Sequence, residues 1–221
     1  MDSSLKDTLE QLKLTGKRAL AFDNFVMRRA WGVYYAVWAV AITLFVFISN
    51  LISILVPAGL QWIAYPVVYV LIGVLATLSV SSSFSKAGAA IHLRRSLYGE
   101  KQEGRRNFYF YFLGWLVLIS AMVLISIDFQ SYVGFIVLTG FLSAIALYVY
   151  ASLKKHFGRV PAEGRLAVGV FAFSTIGGIT AAAITNNPIV YELFWIPTIA
   201  SWLFAALYTM YKAPEDLVMA R

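Results

Sequence analysis

The chain has 221 residues, of which 60% are hydrophobic and only 13% charged, with a net charge of +7 and no cysteine. Soluble domains are about a quarter charged, so this composition and a mean hydropathy of +0.74 point to an integral membrane protein and leave no room for a soluble catalytic domain. The absence of cysteine excludes disulfides, thiolate metal sites, iron–sulfur clusters and a cysteine nucleophile.

The apolar residues fall into six runs, at about 31–55, 60–82, 108–127, 132–152, 166–185 and 189–210. Each is long enough to cross a hydrocarbon core of roughly 30 Å. Residues 1–30 and 84–107 carry six Lys or Arg each, 153–165 carry four and 211–221 carry two, which accounts for all 18. The segments 56–59, 128–131 and 186–188 carry none. Basic residues stay on the cytoplasmic side of short loops. The expectation is an all-α, multi-pass protein of the cell membrane with both termini cytoplasmic. The net charge then needs anionic lipid headgroups at the cytoplasmic face as partners, and no nucleic acid.

Residues 1–27 read as a cytoplasmic amphipathic helix. Leu5, Leu9, Leu12, Ala19, Phe22 and Val26 recur at helical spacing, with Lys6, Lys13, Lys17 and Arg18 mostly off that stripe. The pattern predicts a helix lying at the bilayer interface, broken at Gly16; a docking helix for a cytoplasmic partner is the alternative. Acidic Asp7 and Glu10 and the missing cleavage site argue against a signal peptide.

Residues 28–212 form the six-span membrane domain and 213–221 a cytoplasmic tail. Arg28 and Arg29 open the first span and are placed to snorkel to phosphates. This opening recurs. Residues 28–49 and 105–126 agree at nine of 22 positions without a gap, including both arginines, Tyr34 with Tyr111, and Trp38 with Trp115. The unit is a two-span hairpin, giving two or three parallel repeats. Trp38 and Trp115 fall roughly 13 Å past the arginines, deeper than an interfacial aromatic belt needs. Tyr34, Trp38, Tyr111 and Trp115 are therefore candidates to line a path or pocket, against the commoner role of packing spans together.

Pro66 is expected to kink the second span. The Ser81–Ser83 run then leads to a short helix over 87–97 carrying Arg94 and Arg95, a contact for a partner or for anionic lipid. Gly140 and Ala144 form a small pair in the fourth span. In the fifth span Ser174, Gly178 and Ala182 form a small-residue stripe suited to close helix packing. The sixth span opens with Asn186-Asn187-Pro188, and Pro197 is expected to bend it. Glu192 is the only carboxylate inside the span boundaries, and joins the path-lining candidates.

Absent chemistry narrows function. No histidine lies in a span, and no HExxH, GxSxG or GxxxxGK[ST] motif occurs. The expectation is a non-enzyme with no cofactor and no metal. The order of elements resembles that of ABC-2-type permeases: an interfacial helix, six spans and a helix-bearing loop after the second. That resemblance implies a transporter component working with a separate ATPase. The alternative is a non-transporting accessory, scaffold or sensor subunit.

Overall fold

Fifty-three consecutive residues, Ser3–Leu55, form one helix, α1. The computed structural model describes the backbone of residues 3–97, 132–185 and 187–218, and the side chains of 10–96, 139–185, 187 and 190–218. At 1.5 Å per residue α1 is about 80 Å long. The expected break at Gly16 does not occur, and no separate interfacial helix precedes the first span. One glycine costs a helix only about 1 kcal/mol, and no proline follows until Pro57. Residues 10–18 are exposed on every side. Pro57 disfavours helix at Val56, and the chain reverses there, with Leu60 N–H donating to the Pro57 carbonyl at 2.8 Å.

The return helix, α2 (Ala58–Leu97), is also uninterrupted. It runs through Pro66 and through Ser81–Ser83, so the second span and the expected 87–97 helix are one element. α1 and α2 pair antiparallel. Ser49 bonds Tyr69 near the turn, Ala41 packs with Ile72 and Ala76 further along, and Asp23 meets Arg94 at the far end.

Four further helices make up the described residues after 131: α3 (Tyr132–Phe157), α4 (Ala162–Thr185), α5 (Pro188–Leu193) and α6 (Trp195–Val218). Gly158, at φ 72°, closes α3 in the left-handed region that glycine reaches without strain. The run expected to be the sixth span is two helices. The break falls at Phe194, whose N–H donates to the Tyr191 carbonyl at 3.2 Å. Pro197, expected to bend a continuous span, lies in the first turn of α6, where its missing N–H is tolerated. α6 continues past residue 210, so most of the expected tail is helical.

Among the described residues there is no strand, and four helical stretches are long and apolar enough to cross a membrane. Exposed apolar side chains run along α2 at Val67, Leu71, Leu75 and Leu78. Soluble proteins rarely display such a face, and a bilayer covers it without cost. The expected third span and the expected second copy of the repeat, with Tyr111 and Trp115, lie outside the described residues.

α6 packs against both α1 and α4, α2 lies against α1, and α3 lies against α4. The core joins Trp31, Tyr34, Tyr35 and Ala39 of α1 to Leu153 of α3, Phe171 of α4 and Trp202 of α6. The fit alternates large and small. Ala205 and Ala206 of α6 are buried, and a Cβ on Gly32 would come within 3.0 Å of Met210. Trp202 Nε1 donates to the Ala167 carbonyl at 3.0 Å, so even the indole N–H is satisfied across the α4–α6 interface. Ser174, Gly178 and Ala182 are all buried, and Gly178 faces the break between α5 and α6.

That contact makes a paired prediction. A Cβ on Gly178 would sit 2.9 Å from Phe194 Cβ and 3.1 Å from Tyr191, whereas one on Gly169 would meet nothing. Gly178→Ala should cost about 1–3 kcal/mol in overpacking, more than the roughly 1 kcal/mol of helix propensity it gains. Gly169→Ala keeps the gain alone. Thermal unfolding in mild detergent should therefore move the two variants in opposite directions.

Candidate functional site

Of the residues singled out from sequence, Tyr111 and Trp115 lie outside the described residues, and Tyr34, Trp38 and Glu192 do not come together. Tyr34 is buried in the aromatic core, its ring 5.0 Å from that of Trp31 and 5.9 Å from that of Trp202. Trp38 is half-buried and bridges that core to the α1–α2 contact around Ala41 and Ala76. Glu192 lies beside Asn50, whose Nδ2 donates to it at 3.4 Å. Asn50 and Tyr34 are about 24 Å apart along α1. Tyr34, Trp38 and Glu192 therefore do not face one space.

The polar cluster that does form lies one turn before Trp31. Arg28, Trp31 and Tyr35 share a face of α1 by their spacing. Glu163 occupies the first turn of α4, where a carboxylate suits the helix pole. Thr209 and Asp216 are seven residues apart on α6, so they share a face with each other. Arg28 Nη1 donates to Glu163 Oε1 at 3.1 Å, and Arg28 Nε lies 2.9 Å from Asp216 Oδ2. The guanidinium also stands 5.9 Å from the Phe157 ring centroid of α3. One side chain thus ties α1 to α3, α4 and α6. The Glu163 side chain is only 5% exposed and that of Arg28 19%. Arg28 was expected to snorkel outward; two carboxylates hold it inward instead.

Arg28, Glu163 and Phe157 line a narrow cleft together with Trp31, Tyr35, Leu153, Pro161 and Thr209, and beside the guanidinium it has no room for a water molecule. Tyr35 and Thr209 are each 1% exposed. The Tyr35 hydroxyl, the Thr209 hydroxyl and the Trp31 indole N–H make no hydrogen bond to protein. Burying such groups unpaired costs about 1–3 kcal/mol each. A Cβ on Gly164 would lie 3.1 Å from the Tyr35 hydroxyl, so this glycine lets the ring reach the cleft. Arg28, Glu163 and Asp216 together carry one negative charge in excess.

A second pair lies further toward the α1 N-terminus. Arg94 grips Asp23 with a two-pronged contact, Nε to Oδ1 at 2.9 Å and Nη2 to Oδ2 at 2.7 Å. Arg94, expected to reach lipid or a partner, instead fastens α2 to α1. No three His, Asp or Glu side chains gather to hold a metal among the described residues.

Sequence reading placed Glu163 in a loop and Asp216 in a tail, and so passed over both. A signal was present. The six runs expected from sequence put residues 28, 163 and 216 at one end of the bundle, among nine of the 11 Asp and Glu and all 18 Lys and Arg. No protein-family model, curated protein or solved structure matches the chain.

A double-mutant cycle checks the clamp. Glu163→Gln and Arg28→Gln should each lower the unfolding midpoint, and their coupling should be about 1–3 kcal/mol. Breaking a buried pair strands the remaining charge, so each single variant should lose at least as much as the double. Additive losses would show the pair to be incidental.

Proposed function

We propose that this chain is a permease-like membrane subunit that works with a separate cytoplasmic partner. The observation that carries this reading is the continuity of α1. Its exposed N-terminal stretch and the Arg28 clamp belong to one helix, about 24 Å apart between Leu12 and Arg28. A partner gripping that stretch has a stiff lever on the clamp. Orientation follows from charge: Arg28, Arg94, Lys154, Arg159 and Lys212 all belong to one end of the bundle, while Asn50 and Glu192 mark the other. Basic ends face the cytoplasm. We infer that the leucines of the projecting stretch face a partner rather than headgroups, which add only about 5–7 Å per side, less than the roughly 12 and 24 Å by which Leu20 and Leu12 precede Arg28 along the helix. Leu12 is 65% and Leu20 63% exposed, between Lys13, Lys17 and Arg18.

The second reading, an accessory, scaffold or sensor subunit without transport, is favoured by the filled centre of the bundle. Trp31, Tyr34, Tyr35, Phe171 and Trp202 occupy the space between α1, α4 and α6.

Affinity purification of the intact protein in mild detergent, with mass spectrometry, tests both. A stoichiometric ATPase supports the driven permease. A stoichiometric regulator or enzyme supports the second reading. Isolation of the chain alone overturns the first. Leu12→Asp with Leu20→Asp should reduce partner recovery at least about tenfold, or roughly 1.4 kcal/mol, while leaving the unfolding midpoint unchanged.

A further inference from the structure

We propose that the seat of the Arg28 side chain is a binding site for a small organic cation of the guanidinium or ammonium class, with Arg28 its tethered resident. The inference deepens the permease reading by naming a substrate class, but its geometry does not depend on a partner.

Arg28 has two places to go. Its position at the first turn of the membrane-embedded part of α1 lets a long side chain reach outward to water and phosphate. In the structure it folds inward, against Glu163 and Asp216 and near the Phe157 ring. Moving between these needs only side-chain rotation, since α1 can stay where it is. When Arg28 turns outward the seat keeps two carboxylates and an aromatic ring. Carboxylates paired at short range with a planar forked cation, beside an aromatic face, are the arrangement that recognises guanidinium.

Two carboxylates alone would not make a site. The second observation is the pair of hydroxyls at the cleft. Tyr35 and Thr209 are almost wholly buried, line the same space and bond nothing in the protein. Each can accept a hydrogen bond from a cationic N–H. The charge balance selects the sign of the ligand. Without Arg28 the seat holds a charge of −2, so an anion is repelled and a cation replaces the lost partner. The cleft has no room for a water molecule beside the guanidinium, so the volume that the guanidinium leaves sets the size class at a few heavy atoms.

The protein already bound by its own cation pays a population penalty for a competitor. Methylguanidinium should therefore bind the wild type weakly and Arg28→Ala more tightly, by about tenfold or more.

The test uses the purified full-length chain in mild detergent or nanodiscs, with tryptophan fluorescence and thermal stability as readouts. The probe is methylguanidinium chloride, with methylammonium and potassium chloride at matched ionic strength. A saturable response at millimolar methylguanidinium is expected in the wild type. In Arg28→Ala the affinity should rise, and the ligand should restore part of the lost thermal stability. Glu163→Gln with Asp216→Asn should abolish the saturable response. If Arg28→Ala does not fold, the wild type against Glu163→Gln with Asp216→Asn decides alone. A linear response shared by every variant, or one matched by potassium, overturns the proposal. A methylammonium response equal to that of methylguanidinium keeps the cation site and removes the preference for a planar fork. Saturable binding with no partner ever found separates this site from the driven-permease reading, and loss of binding leaves partner docking to its own experiment.

Discussion

A guanidinium drawn out of water must be neutralised where it stands, and Arg28 is neutralised by carboxylates from two other helices. That constraint fixes much of the rest. Glu163 has to begin α4 beside α1, and Asp216 has to extend α6 far enough to arrive at the same point. The return of the chain after α3 is set accordingly: Gly158 turns it, and Pro161 and Gly164 let it pass under Tyr35. Net gain from such pairs over an apolar replacement is small. Their strength is in penalising every arrangement that separates the partners. Three helices of a bundle otherwise free to slide in lipid are given one register.

Packing between the helices obeys a different rule. In a bilayer there is little hydrophobic drive to bring helices together, so close fit has to supply the attraction. The α1 face presents Trp31, Tyr34 and Tyr35; the facing side of α6 presents Ala205, Ala206 and Ala213. On α4 the small stripe receives Tyr191 and Phe194 where α5 gives way to α6. The break between α5 and α6 is thus part of the packing. Phe194 leaves the helical ladder and its ring fills the space over Gly177 and Gly178.

One rod joins these two features. α1 carries an exposed basic and apolar end, the cation clamp and the aromatic core in sequence, without a hinge. Whatever happens at one end is felt along the others. On the proposed reading, this clamp, which holds its own cation on an excess of negative charge, is what an outside cation or a pull on α1 would change.

Composition and periodicity alone determined the class of the protein, the apolar runs and the small stripe of α4, because each is a property of local sequence. Helical spacing placed Tyr34 and Trp38 on α1 and Ser174, Gly178 and Ala182 on one face, and a stretch of 20 apolar residues is helical wherever it sits. Charge counting grouped the basic segments. Only the tertiary structure decided that α1 runs unbroken through Gly16, since a single glycine is a small cost against the helix on either side. Only it showed that Tyr34 and Glu192 serve different ends of the bundle. Above all it paired Arg28 with Glu163 and Asp216, at separations of 135 and 188 residues along the chain. An isolated sequence shows each of these charges as a solvated end of a span. Their partnership exists only when three helix ends are brought to the same place, and no local pattern records that.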